Sequence, residues 1–259
     1  MEYRHIRITH SPAAVATITL ARPDSLNALN AAMVDELRHA VESLAGSGAR
    51  CLLMTGEGRG FSSGADLAGG GGLPDDAALA LEKHFNPLVE ALFALPIPVV
   101  AAVTAPPAGA GCSLALAADI VVAARSAYFL PAFLNIGLIP DAGATWLLPR
   151  LAGRARAVEM MMLGERIPAE QALDWGLIAR LVEDGELESE AVALATQLAQ
   201  GPTVALGLIR RLARESAQLN LSEALAAERI AQREAGSTED FRAAVLAFLQ
   251  KRQPQFDGR

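Results

Sequence analysis

The stretch Gly111-Cys112-Ser113-Leu114-Ala115 puts a serine where a nucleophile elbow would sit, between a strand-like run and a helix-like run. Serine catalysis of that kind needs a histidine later in the chain. The four histidines, His5, His10, His39 and His84, all precede Ser113. The order is impossible, and Ser113 reads as a small residue on a helix packed against a sheet. Gly109-x-Gly111 has the start of a dinucleotide turn, but Leu114 holds the third glycine position. No His or carboxylate pair has metal-ligand spacing on one helix, and Cys51 and Cys112 form no CxxC. What remains is main-chain chemistry. Two loops of small residues, SSGADL (Ser62–Leu67) and AGAGCSL (Ala108–Leu114), each follow a short buried strand. The second also opens a helix. Small residues let backbone N–H groups approach a ligand, and a helix N-terminus adds partial positive charge. Two N–H groups converging on one oxygen would form an oxyanion hole; tight turns needed only for packing are the alternative.

The elements around these loops follow from periodicity. His5–His10 and Val15–Leu20 read as strands joined by the turn SPAA. Met33, Leu37, Ala40, Val41 and Leu44 have helical spacing, with Asn30 a plausible cap and Gly46 at the stop. Arg50–Thr55 is a buried parallel strand by pattern. A helix over roughly Asp76–Ala94 leads into the strand Pro98–Thr104, and Ile120–Ala124 is a further β-rich run. From ATWLLPRL onward the pattern is helical to the end. Repeated strand–helix units followed by helices predict an α/β core with a helical C-terminal region. Residues 1–200 are expected to form the core and 201–259 a helical appendage.

Composition narrows the function. The chain has 259 residues with 22 Lys+Arg against 29 Asp+Glu, a net charge of −7. That balance argues against gripping nucleic acid or an anionic membrane. Two cysteines are too few for a disulfide scaffold. The opening MEYRHIRITH has no apolar signal core and no run reads as membrane-spanning, so a cytoplasmic setting is expected.

Several spaced segments together resemble the crotonase (enoyl-CoA hydratase/isomerase) superfamily over essentially the whole chain. They are LARPDSLNA (Leu20–Ala28), GRGFSSGADL (Gly58–Leu67), AGAGCSLALAADIVVAA (Ala108–Ala124), IGLIPDAGATWLLPRLAGRARA (Ile136–Ala157) and AFLQKRQPQF (Ala247–Phe256). The resemblance implies repeated β-β-α turns, a C-terminal helical region that builds a homotrimer or a dimer of trimers, and an acyl-CoA thioester substrate. It implies no metal or redox cofactor, coenzyme A being part of the substrate. It assigns the oxyanion donors to the N–H groups of Ala65 and Ala110, with Gly109 and Gly111 beside the latter. Arg22, Ser25 and Leu26 would lie near the pantetheine or phosphates. Ser63, Asp66 and Leu67 would surround the adenine, and Phe248 and Lys251 would reach in from a neighbouring subunit. Asp119 and Trp175 also match, as structural residues.

Hydratases of the family carry two glutamates, and the matching positions here are Ser113 and Phe133. Asp141 stands instead in Ile139-Pro140-Asp141-Ala142-Gly143. By local pattern it is a turn residue or an N-cap before ATWLLPRL. The resemblance makes it a proton shuttle in an apolar pocket with Phe133 and Trp146, its pKa raised. An acyl-CoA isomerase is therefore expected, acting on an enoyl-CoA double bond or on ring-epoxidised phenylacetyl-CoA. The alternatives are a hydratase-type lyase using another acid, such as Asp66 or Glu57, and a non-catalytic acyl-CoA-binding relative. The pocket wall is expected from Gly69–His84 and Phe129–Asn135.

Overall fold

The computed structural model describes residues 2–69 and 76–259. Part of the expected Gly69–His84 wall, residues 70–75, thus lies outside the described residues. Strands β1 (Ile6–His10) and β2 (Val15–Leu20) form an antiparallel hairpin. Strands β3 (Cys51–Gly56), β4 (Val99–Val103) and β5 (Ile120–Ala124) then add in parallel. Two short strands, β6 (Tyr128–Phe129) and β7 (Ile167–Pro168), pair with each other. Strand β8 (Arg180–Val182) closes the main sheet, whose order is β1-β2-β3-β4-β5-β8. The sheet therefore ends on a strand from the half of the chain that reads as helical. At three residues, β8 is too short to interrupt that pattern.

The helices are α1 (Ala31–Ser43), α2 (Ala77–Ala80), α3 (Asn86–Ala94), α4 (Ala110–Leu116), α5 (Ala144–Leu151) and α6 (Arg154–Leu163). They continue as α7 (Ala169–Asp174), α8 (Leu187–Ala199), α9 (Thr203–Glu215), α10 (Leu221–Gly236) and α11 (Glu239–Leu249). The helix expected over Asp76–Ala94 is present, with a π-helical turn at Leu81–Phe85 between α2 and α3.

Alternation along the strands explains the layers. Leu52, Met54, Val99, Ala101 and Val103 face α1 and the helices beside it, where Met33, Leu37 and Val41 pack. Cys51, Leu53, Val100, Ala102 and Val122 face α8 through Leu187, Ala191 and Leu194. Both faces are buried, as a parallel sheet requires. The C-terminal helices are tied to this core by buried polar groups. Arg210 on α9 pairs with Asp119 and donates to the carbonyls of Leu92 and Leu95. Arg50 donates to Thr203, Gly201 and Phe256.

A second, much shorter layer runs beside the main sheet. Isolated parallel bridges join Leu29 to Ala65, Ser62 to Pro107, and Ala108 to Leu130, and the β6–β7 pair continues the series. Each turn of the chain thus supplies one long strand, one short contact and one helix. This is the β-β-α repeat expected from the sequence, and it carries both small-residue loops.

Candidate active site

The second layer sets the geometry of the two loops. The bridge Ser62–Pro107 is parallel. Three residues further on along each segment stand Ala65 and Ala110. The two loops lie against each other there: a Cβ built on Gly64 would stand 3.4 Å from the Ala110 nitrogen. The bridge at Leu29 uses the Gly64 carbonyl and the Asp66 N–H. In a parallel bridge the residue between them points its own N–H the other way. The Ala65 N–H therefore faces the Ala108–Ala110 segment. Ala110 is the first residue of α4, where an N–H has no intrahelical partner. Neither N–H donates to any described residue.

Two glycines make this approach possible. Gly64 has φ +93°, and a Cβ there would lie 2.7 Å from the Ala108 carbonyl oxygen. A Cβ at Gly111 would lie 2.5 Å from the Ser62 carbonyl oxygen. Ser62 is buried, donates to the Asn27 carbonyl and accepts from the Gly64 N–H. Asn27, at φ +55°, accepts from the Arg22 N–H and donates to the carbonyls of Glu57 and Gly60. Ser62 and Asn27 are site-building residues that pattern reading does not single out. The signal for Asn27 is its type, since asparagine tolerates the left-handed region.

The 22–29 and 62–67 segments pack side by side. Ser63 donates through its hydroxyl to the Ser25 carbonyl and through its N–H to the Leu26 carbonyl. Leu67 is exposed. Arg22 and Asp66, expected beside different parts of a CoA, instead meet each other at 2.8 Å, and Arg22 also donates to the Ala28 carbonyl. The Arg22 guanidinium, with the Gly69 N–H, holds the Asp66 carboxyl below its ordinary range. An acid kept ionised in this way is a poor proton donor. Glu57 is paired with Arg7 at 2.9 Å.

Asp141 is different. Its Oδ1 is buried with no hydrogen-bond partner among the described residues. Burial alone pushes its pKa up from 3.8 to about 6. The reading of Asp141 as an N-cap does not hold. Gly143 occupies that position, and α5 has no side-chain cap. What Asp141 gives the turn is its carbonyl, which accepts from the Ala144 N–H at 3.0 Å and the Ser113 hydroxyl at 2.9 Å. Ala142 and Gly143 follow at φ +49° and +87°. Phe133 is buried and, with Gly109, Ser113, Ala144 and Leu147, lines a narrow gap between α4 and α5 with no room for a water molecule. Trp146 does not line that space. It packs on Phe93 with Arg150 over its ring, in a separate cleft with Asp119 and Arg214. Burial pushes the Cys112 thiol up to about 12, which removes it as a nucleophile.

The remaining expected residues lie apart. Phe248 is 81% exposed near the end of α11, and Lys251 follows at φ +55°. Neither shares a hydrogen bond or ion pair with the two loops among the described residues. Asp119 accepts from the Val99 N–H and pairs with Arg210 and Arg214, a structural role. Among the described residues no group of His, Cys, Asp and Glu is arranged to hold a metal ion.

Residues 10–259 match the family model for enoyl-CoA hydratase/isomerase. The chain belongs to the enoyl-CoA hydratase/isomerase family. It is an enzyme family of CoA-thioester chemistry, and the chain matches its members along its whole length. The 1,2-epoxyphenylacetyl-CoA isomerase of Escherichia coli strain K12 is 46% identical over 257 residues, 97% of this chain and 98% of the relative. A probable enoyl-CoA hydratase of Rhodobacter capsulatus is 45% identical over 259 residues, covering both chains fully. A solved putative enoyl-CoA hydratase/isomerase from Mycobacterium abscessus superposes with a TM-score of 0.93 at 40% identity, over 98% of this chain and 100% of that one.

Proposed function

We propose that this family member is an acyl-CoA isomerase with Asp141 as its proton shuttle. The thioester carbonyl oxygen sits between the N–H groups of Ala65 and Ala110. Asp141 removes a proton from a carbon next to the carbonyl, or conjugated with it. The electron pair moves onto the carbonyl oxygen, where the two N–H groups stabilise the enolate. The same carboxyl then returns the proton to a different carbon, so no net acid, base or redox equivalent is consumed. Each donor of this kind contributes about 3 kcal/mol to the transition state. With a ring-epoxidised phenylacetyl-CoA, the shuttle assists opening of the strained C–O bond. The cytoplasm is the expected setting.

The observation that carries the reading is the Asp141 carboxyl, half-buried with a partnerless Oδ1 and poised at about 6. A proton shuttle works best with a pKa near the working pH. A hydratase needs one carboxyl group as a base to activate water and another as an acid to protonate carbon. Ser113 and Phe133 are not acids, and Asp66 and Glu57 are engaged by Arg22 and Arg7. Arg22, Ser25, Leu26, Ser63, Asp66 and Leu67 form the wall proposed for coenzyme A. The helical region 201–259 is proposed to build the trimer. Leu221, Leu225, Phe241, Leu246, Phe248 and Leu249 are exposed there, which favours a partner subunit.

The test is Asp141→Asn assayed on 3-hexenoyl-CoA and on epoxidised phenylacetyl-CoA. Loss of turnover with thioester binding retained supports the reading. Retained turnover, or rapid hydration of crotonyl-CoA by the unaltered enzyme, overturns it.

A further inference from the structure

We propose that Ser113 is a positioning residue, whose hydroxyl sets where the Asp141 carboxyl stands relative to the amino end of α4. The inference rests on the reading of Asp141 given above.

Ser113 is 1% exposed, in a helix whose every residue is buried. A buried hydroxyl is costly unless it is bonded. This one donates to the Asp141 carbonyl at 2.9 Å, across 28 residues of sequence. The Asp141 carboxyl has no comparable anchor, because its Oδ1 is bonded to nothing described. The direction of that side chain therefore follows from its backbone. The backbone there is unusual, with Ala142 at φ +49° and Gly143 at φ +87°. An alanine in the left-handed region costs on the order of 1–2 kcal/mol and persists only where its surroundings hold it. The Ala144 N–H closes the turn on itself. The Ser113 hydroxyl is the bond that ties the turn to another element.

That element is the one that begins with Ala110. Residues three apart lie on one helix face, about 4.5 Å along the axis. A single rigid turn of α4 thus carries a main-chain donor at one end and the tether of the acid at the other. Displacing a catalytic group by about 1 Å costs on the order of a hundredfold in rate.

The experiment uses the full chain with 3-hexenoyl-CoA as probe, following double-bond migration and deuterium uptake from heavy water. Ser113→Ala should lower kcat roughly ten- to a hundredfold with KM within about twofold. Ser113→Cys is nearly isosteric and a weak donor, so it should behave likewise and serves if the alanine variant does not fold. Ser113→Thr keeps the hydroxyl and adds one methyl group, at some cost in stability in a helix whose every residue is buried. It should restore kcat to within about threefold of the unaltered enzyme, because the donor is retained. A residue that only packs would change the melting temperature and leave kcat alone. If both Ser113→Ala and Ser113→Cys keep kcat within about twofold while Asp141→Asn is inactive, this inference falls and the isomerase reading stands. If Asp141→Asn retains turnover, or the unaltered enzyme neither isomerises nor exchanges the probe and leaves epoxidised phenylacetyl-CoA unchanged, that reading falls and this inference with it.

Discussion

The Arg22 guanidinium meets the Asp66 carboxylate at 2.8 Å, one residue beyond Ala65. The pair is largely shielded, with side chains 21% and 8% exposed. Arg22 thus spends its charge on the protein's own loop. Arg22→Met should destabilise the chain by about 2 kcal/mol, since it strands a shielded carboxylate. Asp66→Asn should do so by less, and the double variant should recover part of the loss. Thermal melts of all four proteins measure the coupling. Additive effects would mean that the pair holds nothing.

Asp141 makes stability fall as pH rises. Its carboxyl binds a proton more tightly folded than unfolded, because burial raises its pKa from 3.8 to about 6. Stability is therefore lost as pH rises through that window, by on the order of 1–2 kcal/mol at pH 7 once solvent screening of the part-exposed carboxyl is allowed for. Asp141→Asn should melt several degrees higher than the unaltered protein at pH 7, with the gap closing near pH 4. A variant that gains stability while losing turnover would mark a strained catalytic group. Equal melting temperatures at pH 7 would contradict the burial of the carboxylate.

Gly64→Ala should lower kcat by about a hundredfold or more, because the loop must move to clear the Ala108 carbonyl and takes the Ala65 N–H with it. Gly46 is the control. Its φ of +79° is comparable, but no atom lies within 4 Å of a Cβ built there. Gly46→Ala should cost about 1 kcal/mol of stability and leave kcat unchanged. Similar kinetics for the two variants would show that close approach at Gly64 is unimportant.

Asp119→Ala should destabilise by about 3–5 kcal/mol, since it leaves Arg210 buried without its carboxylate. At low temperature the folded fraction should keep its kcat. Urea unfolding followed by activity at 10 °C separates the two effects. A kcat loss without destabilisation would move Asp119 into the site.

Strands β1 to β5 and both loops are legible because their signals are local. Arg50–Thr55 is apolar on alternate sides because both faces are buried, and SSGADL and AGAGCSL announce close backbone approach by their small residues. Strands β6, β7 and β8 were not legible. At two or three residues each, they are defined by hydrogen bonds to distant partners and have no periodicity of their own. The Arg22–Asp66 contact was hidden for a different reason. Both residues read as ligand contacts by resemblance, and 44 positions separate them, so only the folded chain brings them together. The resemblance puts Trp146 beside Phe133 but does not say which side of α5 it faces, and it packs instead on Phe93.

The in-register bridges of the short layer have a further consequence. In the mechanism proposed above, the gap between the Ala65 and Ala110 amides is a ruler built from backbone, since a Cβ at Gly64 or Gly111 would collide with the facing loop. Exchanging Ser113 or Phe133 for other side chains leaves that ruler untouched. Geometry and reactivity are thereby written in separate parts of the chain. On the proposed mechanism, one or two side chains would change the reaction while the two backbone donors stay where they are.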